Sequence, residues 1–329
     1  SMLIEKKDSK TAYFITTRYH LILALSHSLA YGTKATFYLT FENQNQVEGM
    51  ETLLNQIANQ YDIEFITFTV GLRWKLKHLL RIDKVIKEHE FDNFSKIIVF
   101  PWYLDRFSKP IQRVLSLKKN RDKVEFWEDG ALMYLLPQKK MSKIRLLKDF
   151  IIGELRPQQL LNADNTFVSY PDRFQLWKQN LKKIDWNFLV DAIKADQNLK
   201  FLNQLFDVEP LFLQLKQYSR LNIIFTQPFY LHGLVSSEER QRQIFQKLIE
   251  RYASKNELTI LKLHPADPVD YNWNSSLNVM MIKQTFPSEM FLFNGISFYK
   301  SIGVFSSAVE SVSADEYIYD TKEYDTYKL

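Results

Sequence analysis

Three short groups of residues carry side chains that could do chemistry, and each directly follows a run of strand-forming residues. Glu128-Asp129-Gly130 follows Lys123 to Trp127. Adjacent carboxylates crowd like charge, which raises one pKa and suits that group to accept a proton, while the glycine leaves room for a substrate beside the backbone. The plainer reading is a polar turn. His264-Pro265 follows Leu258 to Leu263, and the proline fixes the chain just beyond an imidazole presented at a strand end. A surface histidine is the simpler alternative. Ser306-Ser307 follows Ile302 to Phe305 and opens a helical pattern. One serine there would serve as a helix cap; two hydroxyls with backbone N–H groups at a positive helix end would also cradle a phosphate.

The rest of the composition narrows the chemistry. Cysteine is absent, which removes thiolate metal sites, cysteine nucleophiles and disulfides. Eight glycines in 329 residues are about a third of the usual ~7%, and none stand two apart, so neither G-x-G-x-x-G nor a P-loop exists. The formal charge of +5 suits an anionic substrate or membrane surface and is too small to argue for nucleic acid. Of six histidines, His20 and His27 fall seven apart on one helix face, and His78 and His89 lie in basic helical segments. Packing or solvent accounts for those four. No stretch approaches the ~20 apolar residues of a membrane span, so a soluble protein is expected.

These groups need elements to hold them. The first half alternates strand and helix patterns: strands at 12–16, 35–40, 63–70, 96–100 and 123–127, helices at 19–30, 49–60, 73–87 and about 110–117. This is the pattern of one doubly wound parallel sheet. From Met133 to about Arg220 the chain reads as helical, interrupted by Pro157, Pro171 and Pro210. Alternation resumes with strands at 221–226, 258–263, 279–282 and 302–305 and a helix at 237–253. The expected organisation is an N-terminal α/β domain (1–155), a helical connector (156–220) and a C-terminal α/β domain (221–329). Two such sheets would bring the three groups to face one another across a cleft. The acidic, Tyr-rich end from Asp315 to Leu329 reads as a surface tail.

An acidic-Gly motif, an HP motif and a serine motif in this order resemble the two-domain GT-B sialyltransferases of bacteria. Here they stand as WEDGA (Trp127 to Ala131), KLHPAD (Lys262 to Asp267) and FSSA (Phe305 to Ala308). The flanking FTQPF (Phe225 to Phe229), SSEERQRQIFQKLIERY, LKLHPADPVDY and FPSEMFLF look like the C-terminal half of glycosyltransferase family 52, the lipooligosaccharide and capsule sialyltransferases. The resemblance implies an inverting transfer of sialic acid from CMP-sialic acid to a galactoside-type acceptor. It also implies Glu128 or Asp129 as base, His264 on the departing phosphate, and Pro265, Ser306 and Ser307 in the nucleotide site. No cofactor and no metal are implied, and no D-x-D occurs in the chain. One departure bears on the base. Some members carry an acidic residue shortly after the TQP segment, where this chain reads Phe229-Tyr230-Leu231-His232-Gly233, so His232 is the reserve base. Another nucleotide-sugar donor, or a non-catalytic nucleotide-binding partner of glycan assembly, would use the same fold.

An enzyme of surface-glycan assembly is expected in the cytoplasm at the inner membrane face. Between Lys139 and Arg156 six basic residues stand against Asp149 and Glu154, with Met141, Ile144, Leu147, Ile151 and Leu155 at helical spacing. This is either an interfacial helix on anionic lipid or a connector helix with its apolar face in the core.

Overall fold

The computed structural model describes residues 10–41, 44–69, 93–100, 122–128, 142–144, 147–148, 166–173, 181–194 and 197–329. The chain divides into two compact units, Ser1–Ile193 and Lys194–Leu329.

The first unit is a seven-stranded sheet with every pairing parallel, in the order β3-β2-β1-β4-β5-β6-β7. Its strands are β1 (Lys10–Ile15), β2 (Lys34–Phe41), β3 (Ile63–Thr69), β4 (Phe94–Val99), β5 (Val124–Trp127), β6 (Thr166–Val168) and β7 (Leu181–Lys183). Helix α1 (Arg18–Tyr31) begins at Thr17, whose hydroxyl accepts from the His20 N–H at 3.1 Å while His20 Nδ1 accepts from the Thr17 N–H at 3.3 Å. It ends at Gly32, whose φ of +63° is left-handed, a conformation that costs glycine nothing. α2 (Gln44–Gln60) returns the chain to β3, and α3 (Trp186–Lys194) follows β7. His20 is buried and stacks on Phe100 at 3.8 Å, and His27 is buried 2.6 Å from the Tyr13 hydroxyl. Burial, with the Lys96 charge adding to it, pushes His27 down to about 3. Both histidines are packing residues, as their shared helix face suggested.

The second unit is a five-stranded, all-parallel sheet in the order β10-β9-β8-β11-β12. Its strands are β8 (Leu221–Phe225), β9 (Leu258–Lys262), β10 (Val279–Ile282), β11 (Ser297–Gly303) and β12 (Ser313–Tyr319). β8 and β9 are buried along their whole length, as strands in the middle of a parallel sheet are, and both are mainly apolar, with Asn222, Thr259 and Lys262 as buried polar positions. The helices are α4 (Asn198–Leu205), α5 (Glu209–Leu215), α6 (Glu238–Tyr252), α7 (Glu289–Phe293) and α8 (Lys322–Tyr327). α6 is capped by Ser237, whose hydroxyl accepts from the Arg240 N–H at 3.2 Å, with Glu238 and Glu239 in its first turn and Arg251 in its last. Both charge signs complement the helix dipole. Its buried face, Ile244, Phe245, Leu248 and Ile249, packs on Ile224, Leu261 and Ile302 of the central strands.

Two expectations need correction. The stretch read as a helical connector contains β6 and β7, which extend the first sheet, and the division between units falls at 193/194. Strands of three residues are too short to show a period, and Leu181-Lys182-Lys183 has no apolar run because it forms the sheet edge. The acidic end is not a tail. Ser313–Tyr319 pairs in parallel with β11, and α8 places Tyr324 and Tyr327 against the core. The helices expected at 73–87 and 110–117, and Asp129 and Gly130, lie outside the described residues. Among the described residues no helix is long and apolar enough to cross a membrane.

Candidate functional site

Strand order reverses direction in the second sheet between β8 and β11, since β9 and β10 lie on one side of β8 while β11 and β12 lie on the other. Loops leaving two such strands at their carboxyl ends must diverge, and the opening between them is where ligands of doubly wound sheets bind. Here the opening is spanned by one side chain. Gln227, two residues after β8, accepts at Oε1 from the Phe305 N–H, two residues after β11, at 3.0 Å.

On the β9 side, Thr226 continues the pairing beyond the strand, its N–H donating to the Lys262 carbonyl at 3.0 Å. Its buried hydroxyl accepts from the His264 N–H at 3.0 Å. His264 is exposed, and its Nδ1 accepts from the Ala266 N–H at 3.0 Å. That bond leaves the proton of the neutral ring on Nε2, a donor. Partial withdrawal from water pushes the His264 pKa below its ordinary 6.5; the His232 and Lys262 charges act the same way, and Asp267 opposes them.

On the β11 side, Ser306 is extended, and its hydroxyl accepts from the Ala308 N–H at 3.1 Å, capping a single 3-10 turn, Ser307–Glu310. So Ser306 does perform the structural task that its position suggested, but on a turn of four residues rather than a helix. Ser307 is exposed beside it. The turn sits tightly on the strand. A Cβ at Gly303 would lie 2.5 Å from the Val309 side chain, and the buried Ser301 hydroxyl donates to the Val309 carbonyl at 2.6 Å.

The loop carrying His232 is held from below. The His232 N–H donates to the Pro228 carbonyl at 3.1 Å, and Gly233 closes the turn with a φ of +68°. Gln241, buried on α6, accepts at Oε1 from the Tyr230 N–H at 2.9 Å. Its Nε2 donates to Asp267 Oδ1 at 2.9 Å and to the Tyr271 oxygen at 3.0 Å, and the Tyr271 hydroxyl donates to Asp267 Oδ2 at 2.7 Å. One amide thus ties the His232 loop to the segment that follows His264.

The structure brings His232, His264, Pro265, Ser306 and Ser307 to the carboxyl end of one sheet. Glu128 belongs to the first unit. It is buried at the end of β5, its N–H donates to the Phe167 carbonyl at 2.9 Å, and its carboxylate accepts from the Ser169 N–H. Sequence reading missed Thr226, Gln227, Gln241 and Gly303. The first two stand in the FTQPF segment, where a polar pair directly after five buried residues is a signal; Gln241 in a charged helix and Gly303 within a strand carry none.

Thr226, His264 and the serine turn fall within one continuous match. The sequence model of glycosyltransferase family 52 matches residues 34–322. The chain belongs to glycosyltransferase family 52. It is therefore a glycosyltransferase, and its two parallel-sheet α/β units make a GT-B-like fold. No curated protein sequence matches this family 52 chain. Among solved structures it is similar to the UDP-GlcNAc 2-epimerase of Methanocaldococcus jannaschii, at 13% identity over 96% of this chain and 91% of that one, with a TM-score of 0.47. It is also similar to a ugt transferase from Siraitia grosvenorii in complex with UDP, at 8% identity over 97% and 83% of the two chains, with a TM-score of 0.44.

Proposed function

We propose that this family 52 enzyme transfers sialic acid from CMP-sialic acid to a galactoside-type acceptor of a surface glycan, with inversion and without a metal ion. The observation that carries the reading is the His264 tautomer. Its Nδ1 is taken by the Ala266 N–H, so Nε2–H is the group offered to a ligand at the same sheet end as the serine turn. A CMP phosphate bound there accepts from Nε2 and from the Ser307 hydroxyl. Its negative charge raises the His264 pKa from its depressed value, and the ring becomes the acid that neutralises the departing CMP.

In the transfer the acceptor hydroxyl oxygen bonds to the anomeric carbon as the carbon–oxygen bond to the CMP phosphate breaks. The hydroxyl proton passes to a base, and CMP leaves protonated or hydrogen-bonded by His264. The base in this reading is His232, exposed on the loop that follows β8 in the same unit. Glu128 is the second reading, weakened because its carboxylate is buried and already accepts from the Ser169 N–H. The test is incubation with CMP-sialic acid and a galactoside, with and without EDTA, following CMP release and the acceptor mass. CMP release with sialylated product that survives chelation is expected; turnover with a UDP- or GDP-linked sugar instead, or loss on chelation restored by Mn²⁺, overturns the donor or the metal-free part. His232→Gln should lose more turnover than Glu128→Gln, and the reverse order returns the base to the first unit.

The place of action we propose is the cytoplasmic membrane face. In the basic segment 139–156 the structure describes Ile144 and Leu147 as exposed, at 82% and 62%, beside exposed Lys143 and Lys148. At those two positions the apolar side chains are not in the core, which favours the lipid-surface alternative.

A further inference from the structure

The proposed donor site depends on two loops, one after β8 and one after β11, that leave adjacent strands and must keep a fixed separation if a phosphate is to touch both. Beyond the Gln227–Phe305 hydrogen bond, three rings hold them together. Phe229 of the first loop lies 5.2 Å from Phe305 of the second, and Tyr324 of α8 lies 4.9 Å from Phe229 and 5.0 Å from Phe305. The three centroids form a nearly equilateral triangle in the tilted and edge-on geometries that aromatic pairs prefer. Phe229 is buried and also stacks on Phe245 of α6 at 5.4 Å, so one corner is fixed to the core. The Phe305 corner directly precedes Ser306.

The third corner comes from a segment anchored both to α6 and to the ends of the two loops. Arg251, at the end of α6, pairs with Asp320 at 2.6 Å and with Glu323, and the Tyr252 hydroxyl donates to Asp320 at 2.6 Å. The Asp320 N–H donates to the Gly303 carbonyl at 2.8 Å, and the Leu329 N–H donates to the Leu234 carbonyl at 3.0 Å, beside an antiparallel bridge between Val235 and Lys328. Residues 320–329 thus run from the base of the serine loop to the end of the His232 loop. The family match stops at residue 322, so Tyr324 lies outside it.

We propose that Tyr324 is a positioning residue: its ring braces the Gln227–Gly233 loop and the Phe305–Ser307 loop at the separation the donor phosphate requires. The inference rests on the proposed donor for its catalytic meaning, while the bracing itself is a property of the free protein. The chemistry asks for a ring and not for its hydroxyl, since both contacts of Tyr324 in the triangle are ring to ring.

The experiment combines hydrogen exchange of the ligand-free full chain with CMP titration, for Tyr324→Ala, Tyr324→Leu and Tyr324→Phe. Tyr324→Ala and Tyr324→Leu should speed exchange about tenfold or more in peptides covering 226–235 and 303–309, with β9 and the body of α6 unchanged. Tyr324→Phe should match the wild type. CMP affinity should fall about tenfold in the first two, with kcat reduced less than kcat/KM is. Unchanged exchange in both loops overturns the proposal, as does a Phe variant as damaging as Ala. Global loss of protection in both the Ala and Leu variants would make Tyr324 an ordinary core residue and equally overturn it. A wild type that binds no CMP refutes the donor reading alone, because the exchange result still decides the bracing.

Discussion

In the proposed reaction His264 acts with its tautomer already chosen by its own loop, and this gives it a measurable proton balance. Its pKa in the free protein lies below 6.5, and a bound phosphate raises it, so the complex holds more protons than the free protein in between. CMP binding should therefore take up a proton, and weaken as pH rises through the interval between the free and the bound His264 values. Calorimetry in buffers of different ionisation heat reads that uptake directly. His264→Ala should abolish it and lower turnover by roughly 10²-fold to 10⁴-fold, the usual contribution of a placed acid. Two residues earlier, Lys262 is buried 4.4 Å over the Phe286 ring, with Nζ donating to the Gln284 carbonyl at 3.2 Å. Burial pushes it down to about 8 from 10.5, against the pull of Glu289. The unfolded chain binds the extra proton between those values, so stability rises with pH across that window, and below about 8 the buried charge costs of order 3 kcal/mol. Lys262→Met should raise the melting temperature at pH 7 and remove the rise between pH 8 and 10.5.

At the scale of elements, the serine turn is only as well placed as the strand beneath it. Gly303→Ala puts a methyl 2.5 Å from Val309, so the turn must lift. CMP affinity should fall several-fold while the melting temperature changes little; titration and a thermal scan of one preparation check both. Nothing in the sequence announces this, because a glycine in Ser297–Gly303 looks like any glycine near a strand end. The central strands were legible for the opposite reason. Leu221–Phe225 and Leu258–Lys262 are buried on both faces, which favours mainly apolar runs, Asn222, Thr259 and Lys262 being the buried polar exceptions. Ser313–Tyr319 was not, since an edge strand with four exposed acidic and Tyr positions has the composition of a solvated tail. The three site groups were visible because each follows a legible strand; Gln241 was hidden because its amide acts from a helix whose pattern reports only its apolar face.

At the scale of the molecule, the proposed function brings a nucleotide donor and a membrane-borne glycan together at one protein. The exposed Ile144 and Leu147 beside Lys143 and Lys148 lead to the expectation that the full chain floats with anionic vesicles at low salt. Substituting Lys139, Lys140 and Lys143 by Gln should reduce flotation, and vesicles that recover no protein at low salt would contradict membrane attachment. The second unit also has a history written into its strand order. β8 comes first in sequence and ends in the middle, and the neighbour that completes the opening, β11, is reached only after β9 and β10 have been laid on its other flank. Gln227 and Phe305, which span that opening, are 78 residues apart. Closing so long a loop is entropically costly until the intervening elements have packed, so the seam at which the proposed donor is held is expected to close after β8, β9 and β10 have paired. A second unit in which β11 has not yet paired with β8 lacks the proposed donor site, so on this reading competence to bind nucleotide is a built-in report that the seam has closed.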